Sequence, residues 1–357
     1  MPDFVLPELP PRVDLETKAT LKQAARAHRY LAELKGVAKT IPNQGILINT
    51  LPLLEAKDSS AIENIITTHD ELYKEDLFES FVQSSAAKEV QSYAGAIRSG
   101  YQSVLERRML TNNQILEIQA LIEHNRAGFR KLPGTALVND RTGETVYTPP
   151  QNSDDIIRLM GNLEKVINNE AFFPIDPLIK MAVIHYQFES IHPFYDGNGR
   201  AGRIINILYM ILNGLLDIPV LYLSRYIIRT KDEYYRLLQA VRDAEDWEAW
   251  ILYMLTGVEV TAKDTIRIID SIRNLMKEYK TAIRGKHPKL YSQDLLNDLF
   301  RHPYTKIEFL ERDLSVTRQT AAKYLDELAE AGLLKKEKIG KYNFYVNEPL
   351  FTLFLDH

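Results

Sequence analysis

The chain has 357 residues, a formal net charge of −4 and no cysteine. That length can bury a large core and suits more than one domain; the mixed charge gives no whole-chain field for nucleic acid, and the missing thiols exclude disulfides and thiolate–metal sites. No apolar leader with a small-residue cleavage site opens the sequence and no run reaches membrane-spanning length, so a cytoplasmic protein with no membrane partner is expected.

Residues 1–110 read as a short proline-rich arm followed by helices. The prolines favour extended backbone from Phe4 to Pro11, and apolar spacing predicts a helix over 15–34. Another helix is expected over about 58–72, with Asp58 or Ser59 as N-cap and Ile62, Ile65 and Ile66 as its apolar pattern. Ser59 and Glu63 are four apart and share a face of it. Two β-prone runs, 135–140 and 144–148, are joined by Arg141-Thr142-Gly143 and stopped by Pro149-Pro150, the pattern of a hairpin. A lone hairpin in a mainly helical chain is marginal unless it packs on something.

The densest chemistry lies between two apolar segments. Residues 177–188 start with proline and contain no glycine, and 203–212 form a second nearly all-apolar run that stops at Asn213-Gly214; both read as buried helices. Between them stands His192-Pro193-Phe194-Tyr195-Asp196-Gly197-Asn198-Gly199-Arg200-Ala201-Gly202-Arg203. A loop that opens onto a helix N-terminus points free N–H groups at an anion. Gly197 and Gly199 allow positive φ angles and close approach to a phosphate, and Asn198 offers a side-chain N–H. Arg200 and Arg203, three apart, share a face and can each grip phosphate oxygens bidentately. Asp196 is a hard oxygen ligand of the kind that holds Mg²⁺ together with phosphates, and His192 suits general-base work near neutral pH.

Farther on, residues 229–236 start a helix with adjacent Tyr234 and Tyr235, and Trp247 and Trp250 read as packing. After Lys286-His287-Pro288 the pattern changes to three short helices, 292–300, 305–313 and 317–328, and two strand-like runs, 334–339 and 342–346, turning at Gly340-Lys341. This last part resembles a winged helix. Arg318, Gln319 and Lys323, with a wing carrying Lys335, Lys336, Lys338 and Lys341, could meet DNA; Asp326, Glu327 and Glu330 on the same helix oppose that, and a protein contact is the alternative.

The twelve-residue loop resembles the signature of the Fic family, His-x-Phe-x-(Asp/Glu)-Gly-Asn-Gly-Arg-x-x-Arg, at every defined position. The resemblance implies a mainly α-helical Fic core with a small β-hairpin flap, a helical N-terminal extension and a C-terminal winged helix. In parts, these would be 1–110, a core at 111–260, a linking helix at 261–288 and the winged helix at 289–357. It implies a protein adenylyltransferase that moves AMP from ATP, with Mg²⁺, to a Ser, Thr or Tyr hydroxyl of a target protein or of itself. By resemblance His192 is the base, Asp196 the metal ligand, Phe194 an apolar anchor, and Gly197, Asn198, Gly199, Arg200, Ala201, Gly202 and Arg203 the phosphate seat. A phosphorylating branch of the family carries lysine at the second glycine; here that position is Gly199.

Ser59, Glu63 and Asn64 fit the family's inhibitory signature, (Ser/Thr)-x-x-x-Glu-(Gly/Asn), which implies that Glu63 pairs with Arg203 and displaces the γ-phosphate. The hairpin resembles the family's flap, whose edge, here Val146, Tyr147 and Thr148, would pair with an extended target segment. Tyr234 and Tyr235, with Arg229 and Arg242, are the candidates for an adenine pocket. A homodimer is a further partner suggested by the resemblance. Two other functions stay open: a DNA-binding regulator whose core senses nucleotide, and a hydrolase in which Glu63 orients water to remove AMP.

Overall fold

A computed structural model describes residues 5–68, 71–72, 84–138, 142–339 and 342–355. Phe4 of the extended arm, Asn139, Asp140 and Arg141 of the first hairpin, and the Gly340-Lys341 turn lie outside the described residues. The fold is mainly helical. Helix α1 (Lys18–Ala38) is followed by α2 (Gly45–Ile62), α3 (Ser85–Arg107) and α4 (Asn112–Glu123). Strands β1 (Leu137–Val138) and β2 (Thr145–Tyr147) form the expected antiparallel hairpin, with Leu137 opposite Tyr147. Next come α5 (Ser153–Asn168), α6 (Pro177–Ile191), α7 (Asn198–Leu212), α8 (Ser224–Arg229), α9 (Lys231–Ala244) and the long α10 (Trp247–Lys286).

Helices α6 and α7 are the centre. Asp176 caps α6 by accepting from the N–H groups of Leu178 and Ile179 at 2.8 and 3.2 Å, and Pro177 takes the first turn, where its missing N–H costs nothing. Every residue from Leu178 to Ile191 is buried, so α6 has no solvent face and is held by neighbours on all sides. Each fully buried aliphatic side chain there contributes roughly 1.5–3 kcal/mol. Trp250 is the packing residue expected: its indole N–H donates to the carbonyl of Ala182 at 2.8 Å. Helix α1 runs along α10, fastened where Arg26 and Gln23 meet Glu259 at 3.1 and 2.8 Å. The boundary expected near 260 falls inside α10, which continues unbroken to Lys286.

The C-terminal part comprises α11 (Gln293–Arg301), β3 (Tyr304–Thr305), α12 (Ile307–Asp313), α13 (Arg318–Glu330), β4 (Lys335–Ile339), β5 (Tyr342–Val346) and α14 (Glu348–Leu355). Its sheet has the order β3-β5-β4, all antiparallel. Strand β3 and helix α14 were not expected. The pairing of Tyr304 with Val346 and of Thr305 with Tyr345 takes Thr305 out of the helix expected to begin there. Tyr279 of α10 donates its hydroxyl to the carbonyl of Leu333 at 2.6 Å, tying this part to the rest.

One expectation near the N-terminus is corrected. Asp58 and Ser59 do not begin a helix; they lie in the last turns of α2, and Glu63 is its C-cap. The chain then leaves in a Schellman turn, with the N–H of Asn64 on the carbonyl of Ala61 at 3.1 Å and that of Ile65 on Ser60 at 3.0 Å. Asn64 has φ 62°, a left-handed conformation that glycine and asparagine tolerate best. Ile66, expected on an apolar helix face, is instead exposed. Asn64→Val should therefore cost about 1–2 kcal/mol and lower the melting temperature, while Asn64→Gly should leave it within error; calorimetric melts of both variants check this.

Candidate active site

The loop between α6 and α7 begins with a residue in an unusual conformation. His192 closes α6 in the left-handed region, φ 48° and ψ 58°, with its N–H on the carbonyl of Phe188 at 3.0 Å. Phe194 is fully buried against Phe129 and Phe188, with ring centroids 5.5 and 6.3 Å away, and anchors the loop. Gly197, φ 79°, is the N-cap of α7, so the helix starts five residues earlier than the apolar pattern indicated and the Gly-Asn-Gly run is its first turn. Asp196 is exposed on the loop's outer edge, with Oδ1 accepting from the N–H of Gly197 at 2.7 Å.

Several phosphate-seat assignments change on inspection of the contacts. The Asn198 amide is not a free donor: Oδ1 accepts from the N–H of Phe194 at 2.8 Å and Nδ2 donates to its carbonyl at 2.9 Å, so it braces the loop. Gly199 is helical and needs no positive φ; it is small because a Cβ there would lie 2.3 Å from Glu63 Oε1 and 2.9 Å from Arg203 Nη1. Ala201 is buried and its N–H is used on the carbonyl of Gly197 at 2.9 Å, inside the helix. Gly202 faces α6, where a Cβ would meet Glu189 Oε1 at 2.5 Å and Phe188 at 3.1 Å. Both serve helix packing rather than an anion nest.

The two arginines take separate partners. Arg203 is 2% exposed and is held by the end of α2: Nε donates to Ser59 Oγ at 2.7 Å, Nη2 to the Ser59 carbonyl at 3.0 Å and to Glu63 Oε1 at 2.8 Å. Arg200 instead meets Glu89 of α3 at 3.2 Å and Glu123 of α4 at 2.5 Å. Burial alone would raise the Glu63 carboxyl, but the Arg203 charge and hydrogen bond outweigh it and hold the group below its ordinary value. Glu63 is therefore an anion sitting on the cation that faces the loop. Nearby, burial pushes Glu189 up to about 7, and its Oε1 has no hydrogen-bond partner among the described residues. His192 is driven down to about 4 by burial and by the Arg130 charge, which leaves it neutral at physiological pH.

The hairpin packs on this loop. Tyr147 of β2 is buried, donates its hydroxyl to the carbonyl of Ser190 at 2.8 Å, and lies 3.9 Å under the Arg242 guanidinium. It anchors the flap and is not a free edge; Val146 and Thr148 are exposed. Arg130, fully buried, joins flap and loop, with Nε donating to the carbonyl of His192 at 2.8 Å and Nη2 to that of Pro150. Of the adenine-pocket candidates, Tyr234 and Tyr235 meet edge to face with ring centroids 5.1 Å apart, while the two arginines turn to other partners. Tyr234 is buried in the core with its hydroxyl 2.8 Å from His185 Nε2, Arg242 lies over Tyr147, and Arg229 is turned toward Asp264 at 4.0 Å. Tyr235 is 46% exposed and is the one of the four that stands at the surface as an aromatic face.

Three family models meet the chain in succession. Residues 21–102 match the Fic/DOC family N-terminal model, 109–210 the Fic/DOC family model, and 275–350 the C-terminal domain of SoFic-like protein adenylyltransferases. The chain belongs to the Fic family. A protein adenylyltransferase of Caenorhabditis briggsae is 26% identical over 149 residues, 41% of this chain and 26% of that protein. One of Caenorhabditis elegans is 30% identical over 112 residues, 31% of this chain and 21% of that protein. A probable protein adenylyltransferase of Aquifex aeolicus is 36% identical over 98 residues, 28% and 26% of the two. The chain thus spans about a quarter of the length of the curated relatives it matches. Among solved structures, a Fic family protein of Desulfovibrio desulfuricans G20 shares the fold with TM-score 0.60 over 95% of this chain and 98% of that one, at 19% identity. A Fic-1 fragment of Caenorhabditis elegans gives 0.55 over 71% and 73%, at 20% identity.

In this Fic site four charged residues had escaped the sequence: Arg130, Glu189, and the Arg200 partners Glu89 and Glu123. Arg130, Glu89 and Glu123 act through contacts far along the chain, and Glu189 stands out only by being buried, so no local pattern marks any of them.

Proposed function

We propose that this chain is a protein adenylyltransferase restrained by its own Glu63. Support comes from a complete loop motif, from the relatives named as protein adenylyltransferases, and above all from the 2.8 Å pair between Glu63 and Arg203. The substrates would be ATP and a Ser, Thr or Tyr hydroxyl, offered by a target segment laid along the exposed side of the flap at Val146 and Thr148. Neutral His192 takes the hydroxyl proton; the oxygen attacks the α-phosphorus, the bond to the β-phosphate oxygen breaks, and pyrophosphate leaves. The N-terminal turn of α7 receives phosphate oxygens. Asp196, exposed beside that turn, fits as the carboxylate that would hold Mg²⁺. Bound there, the ion would neutralise phosphate charge.

While Glu63 occupies Arg203, the γ-phosphate lacks its cation and faces a carboxylate. Glu63→Gly should raise incorporation of label from α-labelled ATP at least about tenfold, the worth of one charge-assisted contact. Ser59→Ala removes one hydrogen bond and leaves the ion pair, so a smaller rise of a few-fold is expected. Equal labelling of wild type and Glu63→Gly would overturn the brake. The rival reading, removal of AMP, draws on the same ionised Glu63 as a group that could orient water. Release of AMP from a modified protein by wild type, lost in Glu63→Gly, would favour it.

The order of elements in 289–357 suits a winged helix, and we read it as a protein contact more than a DNA reader. Arg318, Lys323, Lys335 and Lys336 each face a carboxylate, at 2.9 Å from Glu308, 3.7 Å from Glu327, 2.8 Å from Glu348 and 2.6 Å from Asp326. Cations already neutralised release few counterions from a duplex.

A further inference from the structure

The C-terminal part packs against the N-terminal helices, and a cavity of about 320 Å³ lies in that seam. Asn49 of α2 and Arg98 of α3 form one wall, and Arg301, Phe309, Arg312 and the carboxyl of Asp298 line the other. Three guanidiniums from three different helices therefore border one small space. Asp313 engages two of them, 2.5 Å from Arg301 and 2.6 Å from Arg312. Asp298 lies 3.6 Å from Arg301, but burial and the adjacent Asp313 carboxylate raise it well above its ordinary value. Asp313, clamped by both arginines, is held below the ordinary range and stays ionised. The carboxylates thus fall short of the cations. Arg98 in particular is half-buried and makes no hydrogen bond or ion pair among the described residues.

Three guanidiniums with one firmly ionised carboxylate among them leave the cleft net positive, which favours a bound anion. The planar forks of arginine match the oxygens of a phosphate, and about 300 Å³ is the lower range of small-ligand pockets. We propose that this cleft is a second anion site, which binds a small phosphorylated metabolite through Arg98 together with Arg301 and Arg312. It stands apart from the loop at 192–203 and does not depend on the reading of that loop. Its occupant would touch Asn49, on the same helix α2 that ends at Glu63.

The probe is inorganic pyrophosphate, titrated calorimetrically into the full chain as wild type, Arg98→Gln, Arg203→Ala and the double variant. Arg203→Ala should keep a pyrophosphate site that Arg98→Gln/Arg203→Ala has lost, with affinity down at least about tenfold for the removed fork. Arg98→Lys, which keeps charge without the fork, should fall between. Among the described residues Arg98 has no partner, so its variants should melt with wild type; if Arg98→Gln does not fold, Arg312→Gln takes its place. The proposal fails if Arg203→Ala alone abolishes pyrophosphate binding, or if Arg98→Gln binds as wild type does in the Arg203→Ala background. It also fails if a short DNA duplex binds Arg203→Ala more tightly than pyrophosphate and loses that binding with Arg98→Gln, because the cleft would then hold a nucleic-acid backbone.

Discussion

With the brake removed by Glu63→Gly, replacing His192 by alanine is expected to lower AMP transfer by about 10²–10⁴-fold, the usual contribution of a positioned general base. The reason lies in how the ring is presented. The left-handed backbone at His192 turns the residue out of α6 at the point where the loop begins, and burial with the neighbouring Arg130 charge takes its value down to about 4. A base must be unprotonated to act, so activity disappears as pH falls through its value in the free enzyme. The acid limb of kcat/KM for Glu63→Gly should therefore lie below about pH 5, not near the ordinary histidine value of about 6.5. Removing Glu63 also removes a negative charge that raises His192, which moves the limb in the same direction. An acid limb at 6.5 would mean that the ring is solvated in the free enzyme, and undiminished labelling after His192→Ala would take the base away from this residue altogether.

The second large effect should come from Arg130→Ala. The guanidinium is fully buried and bonds the carbonyls of His192, Ile191 and Pro150, so that one side chain holds the base, the end of α6 and the root of the flap. Its removal leaves buried carbonyls without donors, at about 1–3 kcal/mol each, and a loss of about 3 kcal/mol in urea-melt stability is expected overall. The hydrogen bonds of Arg130 go to backbone carbonyls. In a Glu63→Gly background the variant should lower kcat about tenfold or more while the KM for ATP changes little, the mark of a misplaced base. A KM effect with normal kcat would place Arg130 in nucleotide binding instead.

These residues also explain what could be read from the chain and what could not. The loop was legible because base, metal ligand, glycines and arginines lie within twelve positions, between two runs whose burial is plain. The pairing of Glu63 with Arg203 followed from the resemblance of both segments to the family's signatures. The helix carrying Glu63 did not. It has no side-chain cap at Gln44, and Pro52 sits inside it where a proline ordinarily stops a helix, so Asp58-Ser59 reads as the N-cap and marks the wrong end. Tyr234 and Tyr235 show a different limit. Neighbours on a helix point about 100° apart, and adjacency alone cannot tell which one enters the core beside His185 and which stays at the surface. Arg130, Glu89 and Glu123 carry no local pattern at all, because a hydrogen bond or ion pair between distant elements exists only after folding.

Gly199 links two properties that selection would otherwise treat separately. The space its absent side chain leaves is occupied by the carboxylate of Glu63 and the guanidinium of Arg203, and the same residue lies in the first turn of α7, where an anion would settle. Even alanine at 199 would wedge the carboxylate from its arginine and crowd the incoming nucleotide in one stroke. On the proposed reading, a change at this position would alter restraint and turnover together. On the same reading, Ser59, Glu63 and Asn64 on the far side of the contact are where restraint could be adjusted without reshaping the first turn of α7.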